Sequence, residues 1–199
     1  MYTEQSFTIP LLKGISEQTI AEHKKLYSGY VKHANLVQEK LTAYQGDETK
    51  VYEIGELYRR FSFEYNGMRN HEVYFNLFSG DGSPSLSTNA PQLTAAIERQ
   101  WSSIDAWKGA FTTLALTRGI GWAMLSHDMT SGSLIMHWVD EQHLGQLQQT
   151  IPIIALDMWE HSYVADYQPS GKKQYVVDFL SQMKWSIAEA NFQTARHTR

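Results

Sequence analysis

Asp157-Met158-Trp159-Glu160-His161-Ser162-Tyr163 is the stretch on which the reading of this chain turns, because it sets a carboxylate and an imidazole four residues apart behind an apolar run. That run, Ile151 to Leu156, has the length and composition of a buried strand, so Asp157 falls where a strand stops and a turn or helix begins. Polar side chains at such an end carry chemistry more often than those inside the strand. Asp157 and His161 can reach one ion across a helical turn or around a strand-to-helix corner. The alternative is a helix start with Asp157 as cap and Glu160 completing a capping box. Ligands from elsewhere in the chain decide between them.

Working outward, the N-terminal part supplies two candidates. From Ser16-Glu17 to about Tyr44, apolar residues recur at helical spacing without proline, and Gly46-Asp47 ends the pattern. A second helical pattern runs from about Glu48 through Val51, Ile54, Leu57, Phe61, Tyr65 and Met68 to about Phe78, where Ser79-Gly80-Asp81-Gly82-Ser83-Pro84 breaks it. Two helices joined by a short turn form an antiparallel hairpin. His23 and His71 lie roughly 23 residues before and after that turn, so at about 1.5 Å per residue both stand about 35 Å along the hairpin. The spacing predicts that they end up at the same level.

The remaining chain reads as mixed structure. Ala90-Pro91-Gln92-Leu93 opens a helix to about Trp107, and Ala110-Phe111 opens another that ends near Arg118-Gly119. Gly121 to Leu125 and Ser133 to Val139 read as strands around a Met129-Thr130-Ser131-Gly132 turn, with Ile151 to Leu156 completing a small meander. A loop from Asp166 to Gly171 leads to a closing amphipathic helix carrying Tyr175, Val176, Phe179, Met183 and Trp185. The expected fold is α+β: an N-terminal antiparallel helical hairpin domain over 1–84, and a C-terminal α/β domain over 85–199 with a three-stranded antiparallel sheet. The metal site lies between them.

Composition narrows the chemistry. The 199 residues are 42% hydrophobic, enough for a sizeable core, and a net charge of -4 without any Lys/Arg stripe argues against nucleic acid. The absence of cysteine removes disulfides, thiolate ligands and thiol nucleophiles together. A metal site here is built from imidazole, carboxylate, amide or water, which suits Fe, Mn or Zn. The polar N-terminus has no secretory pattern and no apolar run spans a bilayer, so the expectation is a cytoplasmic protein without a membrane partner. Six Trp and eleven Tyr suggest a walled pocket or an interface. His23, His71, Asp157 and His161 together make a three-imidazole, one-carboxylate set, which suits Mn or Fe and leaves a position for water and small anions. His71-Glu72 is not a zincin motif, since Phe75 stands where the second histidine is needed. His33, His127, His137 and His197 lack partners at useful spacing and are assigned to surface or strand positions.

These residues resemble the iron/manganese superoxide dismutases. The family signature D-x-W-E-H-x-Y stands as Asp157, Trp159, Glu160, His161 and Tyr163, and the second-helix motif stands as Asn70-His71 followed by Tyr74 and Phe75. Phe7-Thr8-Ile9-Pro10, Gly119-Ile120-Gly121-Trp122 and the segment from Tyr175 to Trp185 extend the likeness over nearly the whole chain. The resemblance implies disproportionation of superoxide to dioxygen and hydrogen peroxide at one Mn or Fe ion per subunit cycling between +3 and +2. Its rival is a catalytically silent metal-binding member of the same fold. His23, His71, Asp157 and His161 would be the ligands. Gln142 would carry the amide near the metal-bound solvent, with His143 taking that place if the register slips by one. Gly67 and Gln142 lean toward manganese, whereas Ala155 fits neither metal's usual pattern. The family's first-helix histidines and tyrosine are replaced here by Tyr27, Ser28 and Tyr30, one residue short. Tyr30 would then be the gateway phenol of the substrate funnel, in a helix lacking a bulge, and Tyr27 would replace a gateway histidine. Trp122 and Trp159 would wall the pocket. Glu160 would face a twofold interface and pair with His161 of the partner subunit, with Tyr163 at the same interface of a homodimer or tetramer.

Overall fold

The computed structural model describes residues 1–79 and 86–198. The segment between the two runs, on which the expected domain boundary at 84/85 and most of the Ser79 to Pro84 break fall, lies outside the described residues. Helix α1 spans Glu17–Ala43 and starts at Ser16, whose hydroxyl accepts from the Thr19 amide. A 3-10 turn at Glu48–Lys50, capped by Asp47, leads into α2, Val51–Asn76. The two helices pack along their length as the expected hairpin. The short α3 (Leu86–Asn89), α4 (Pro91–Trp101) and α5 (Ile104–Ala115) follow. Strands β1 (Gly121–Asp128), β2 (Leu134–Asp140) and β3 (Thr150–Asp157) form the sheet, and α6 (Val164–Tyr167), α7 (Lys172–Gln182) and α8 (Trp185–His197) complete the described chain.

The structure corrects four sequence expectations. The helical break in the middle of the chain sits at Ser102-Ser103 rather than after Trp107. Ser102 takes a left-handed conformation (φ 68°) and the Ser103 hydroxyl caps α5 by accepting from Ala106, a serine chemistry that apolar periodicity does not register. The closing helix is two helices. Met183 turns to extended geometry, and the Lys184 amide leaves the helical ladder to donate 2.7 Å to the Leu77 carbonyl, so Trp185 starts α8 afresh. The expected loop at Asp166 to Gly171 contains the end of α6 and a 3-10 turn at Pro169–Gly171.

The fourth correction is topological. The strand order is β2-β1-β3 with both pairings antiparallel, so β1 is central and the sheet is not a meander. The burial of the strands explains it. Seven consecutive residues of β1 are buried, so both of its edges need a neighbour, while β2 keeps several positions half-exposed. Pairing Trp122 with Asp157 brings the end of β3 beside the start of β1. One apolar cluster runs from the hairpin (Tyr27, Met68, Phe75) through the sheet (Trp122, Leu125, Leu156) to the outer helices (Trp107, Phe179, Trp185).

Gly121 shows how tightly the sheet start is set. Its φ is +155°, and a Cβ there would fall on the Val139 carbonyl of the adjacent strand. Gly121→Ala is expected to cost about 3 kcal/mol, lowering the calorimetric Tm by roughly 6–12 °C for a chain of this size. Gly109→Ala, in the exposed middle of α5 where a Cβ meets nothing within 4 Å, is expected to add about 0.5–1 kcal/mol instead.

Candidate metal centre

Four elements deliver one ligand candidate each. His23 lies within α1 and His71 within α2, both essentially without exposure, and the hairpin brings their ring centroids to 4.9 Å. Asp157 is the last residue of β3, and His161 follows in a 3-10 turn at Glu160–Ser162. Asp157 Oδ2 stands 3.0 Å from His23 Nε2, 3.2 Å from His161 Nε2 and 3.6 Å from His71 Nε2. The other oxygen, Oδ1, accepts from the Trp159 amide at 2.8 Å, and the Asp157 carbonyl accepts from Ser162 Oγ and Tyr175 Oη, each at 3.0 Å. The carboxylate therefore turns the chain with one oxygen and faces the histidines with the other. The capping box does not form, because the turn's cap residue is Trp159.

The donor set fits a metal ion. His71 Nδ1 donates to the Gly67 carbonyl at 2.6 Å, which leaves Nε2 as the lone-pair nitrogen; that atom is buried and has no hydrogen-bond partner. One ligand atom from each of the four residues lies within 4.8 Å of the others. Donors bound at about 2.1 Å with angles of 90–120° stand about 3.0–3.6 Å apart, which is the spacing of the three nitrogens from Asp157 Oδ2.

Burial sets the protonation states that ligation requires. It pushes the His71 imidazole down to about 3, with the neighbouring His23 adding to the effect, and lowers His23 against the opposing pull of Asp157. For Asp157 burial acts upward, yet His161 and His23 together outweigh it and hold the carboxyl well below the ordinary range. At neutral pH an ionised Asp157 faces the neutral imidazoles of His23 and His71.

A hydrogen-bonded layer surrounds the ligands. Gln142 is fully buried: its Oε1 accepts from Trp122 Nε1 at 2.9 Å, its Nε2 donates to Tyr30 Oη at 3.0 Å, and its carbonyl accepts from Asn70 Nδ2 at 2.9 Å. Glu141 before it is left-handed (φ 50°), which turns the chain so that Gln142 points inward. His143 instead packs edge-on to Phe63 at 5.7 Å. Trp122 meets His71 edge-on at 5.0 Å, and Trp159 stacks on His161 at 5.8 Å while its Nε1 donates to the Glu141 carbonyl.

Helix α1 is α-helical throughout, and seven residues are close to two turns, so Tyr30 falls on the face of His23. Its ring lies 5.1 Å from that of His71 and crosses α2 at Gly67, where a Cβ would come within 2.6 Å of it. Burial raises the Tyr30 phenol, with Asp157 and Glu64 adding and Arg60 opposing. Tyr27, expected in place of a gateway histidine, is buried. Its hydroxyl is held behind His71, accepting from the Gln5 amide at 2.9 Å and donating to Glu72 at 3.2 Å, because buried Glu72 offers the better partner. Glu160 is exposed, and Tyr163 is buried against Tyr175 at 5.4 Å. Sequence reasoning missed Phe63, which touches both Tyr30 and His143, and the Arg60–Glu64 pair beside it; their signal was only their placement about two to three turns before His71. It missed the Asn70 clamp although Asn70 adjoins a ligand.

His71 links the site to acid stability. In the metal-free protein it takes a proton near pH 3 against 6.5 for the ordinary side chain, so between those values the unfolded state binds more protons and stability falls as pH falls. Melting curves of metal-free protein from pH 7 to 4 should show a falling Tm, with a shallower fall in His71→Gln. Equal slopes would mean that another group carries the effect.

A family model described as "Iron/manganese superoxide dismutases, C-terminal domain" matches residues 89–191. A protein named superoxide dismutase (Fe) from Cupriavidus metallidurans is 33% identical over 187 residues, covering 92% of this chain and 91% of its own. One of the same name from Aquifex aeolicus is 31% identical, covering 92% and 87%. A Haloferax volcanii protein named superoxide dismutase (Mn) 2 is 32% identical over 184 residues, covering 91% and 88%. With the family model spanning more than half of the chain and relatives aligned along nine-tenths of it, this protein belongs to the iron/manganese superoxide dismutases.

Proposed function

We propose that the chain disproportionates superoxide to dioxygen and hydrogen peroxide with one Mn or Fe ion held by His23, His71, Asp157 and His161. The observation that carries this is the convergence of four ligand atoms within 4.8 Å around the unpartnered Nε2 of buried His71. When bound, the metal supplies the +3/+2 couple that accepts an electron from one superoxide and returns it to the next. The residues around it do the rest. Gln142 holds its amide between Trp122 and Tyr30, and this fixed dipole tunes the site from outside the ligand set. Tyr30 is the link from Gln142 toward bulk solvent for the protons that peroxide formation consumes. Trp122 and Trp159 keep the space beside His71 and His161 small. In this reading the regions 1–84 and 85–199 act as two halves closing on the ion, and the protein works in the cytoplasm as a homodimer or tetramer. Among the described residues, no helix is long and apolar enough to cross a membrane.

Reconstitution with manganese and with iron, followed by a superoxide disproportionation assay, tests the function and the metal together. A rate above free metal with either ion is expected, manganese being slightly favoured by Gly67 and Gln142. No rate with either ion would leave a silent metal-binding member of the fold. Gln142→Leu should reduce activity roughly 10–100-fold with the metal retained, because Tyr30 and Trp122 both lose their partner. Glu160 is exposed beside His161, as a twofold interface requires. Glu160→Ala should weaken metal retention and self-association together, read by elemental analysis and sedimentation. An intact oligomer with full metal would refute that interface.

A further inference from the structure

A recess of about 670 Å³ opens from the surface onto Tyr30 and Trp159, its wall formed by Arg60, Phe63 and Glu64 of α2 and its rim carrying Lys25 and Lys40. The wall contains a contradiction for a site that takes an anion. The Glu64 side chain is only 5% exposed and lies on α2 seven residues before His71, so a carboxylate faces the way in. Arg60 resolves it. Its Nε donates 2.7 Å to Glu64 Oε1, and its guanidinium carbon sits 3.9 Å from the centroid of the Phe63 ring, so an ion pair and a cation–π contact hold one group from two sides. Phe63 in turn touches Tyr30 at 5.9 Å and His143 at 5.7 Å. The Arg60 side chain is 48% exposed, which leaves the far edge of its guanidinium free toward the recess.

We propose that Arg60 is the positioning residue for anion approach: it neutralises Glu64 and presents its free N–H edge to superoxide and other small monoanions on their way to Tyr30. This rests on the activity proposed above. A charge at a cleft wall changes the local concentration of a charged substrate and does so less at high salt. A merely structural Arg60 would hold α2 together and leave the salt dependence unchanged.

The test uses metal-loaded protein and the variants Arg60→Ala, Arg60→Lys, Glu64→Gln and the double variant Arg60→Ala/Glu64→Gln, after checking metal content and circular dichroism. Two readouts are taken: kcat/KM for superoxide against ionic strength, and the Kd of azide from optical titration. Arg60→Ala is expected to lose about tenfold in both at low salt, with the salt dependence flattened or inverted. Glu64→Gln should improve both by a few-fold, and the double variant should return to within about threefold of the parent, since the uncompensated carboxylate is then gone. Arg60→Lys should retain most of the effect. The proposal is overturned if Glu64→Gln gives no gain, or if the double variant is as poor as Arg60→Ala, or if Arg60→Ala keeps the parent's salt slope. Should Arg60→Ala fail to fold, Glu64→Gln and Arg60→Lys decide by the same criteria. Azide titration separates the two readings: a parent without dismutase rate overturns the activity, whereas unchanged azide affinity across the variants overturns the role of Arg60.

Discussion

A fully buried carboxylate is the constraint on which this structure depends. Asp157 has no exposure, and an ionised group so placed is tolerated only where partners replace water. Its hydrogen-bond partners come from α1, from the turn after β3 and from Tyr175 on α7, and His71 of α2 stands 3.6 Å away, so satisfying this one residue fixes the hairpin against the sheet. The candidate metal centre is where the helical hairpin meets the end of the sheet. The same burial that makes the carboxylate costly keeps His23 and His71 neutral and ready to ligate.

Around that point the structure is organised by a second buried residue, bonded through its side-chain oxygen, its side-chain nitrogen and its carbonyl. Gln142 is reached from β1 by Trp122, from α1 by Tyr30 and from α2 by Asn70, and a left-handed Glu141 turns it inward. Bonds from three elements hold the Gln142 amide in one orientation, which the proposed tuning of the site through that amide requires. Gly67 serves the same arrangement in two ways: its missing side chain makes room for the Tyr30 ring, and its carbonyl orients His71. Toward solvent the order changes from fixed dipoles to charges, with Glu64 and Arg60 in the wall and lysines at the rim.

What was legible in the sequence follows from locality. The candidate ligand quartet, the two long helices, their level histidines and the three strands rest on periodicity, turn residues and short motifs, which act between residues near in sequence. The equal level of His23 and His71 could be counted because a helix has a constant rise and the turn between α1 and α2 is short. Asp157 turns the chain with one oxygen and faces the histidines with the other, although the capping box that was its rival reading does not form.

Tertiary structure alone decided where side chains of ambiguous direction go. Tyr27 and Tyr30 read alike in sequence, yet Glu72 and Gln5 draw one hydroxyl behind the site while Gln142 holds the other at the recess. Gln142 and His143 were separated by the left-handed Glu141, and the central place of β1 by burial that needed a neighbour on each edge. The helix breaks at Ser102-Ser103 and Met183-Lys184 come from a serine cap and from a distant carbonyl, Leu77, that takes the Lys184 amide. The sequence by itself determined which chemistry this protein has, because ligand types and local periods are written in neighbouring residues. The structure decided how that chemistry is walled, tuned and approached, because those choices depend on partners brought together only when the chain is folded.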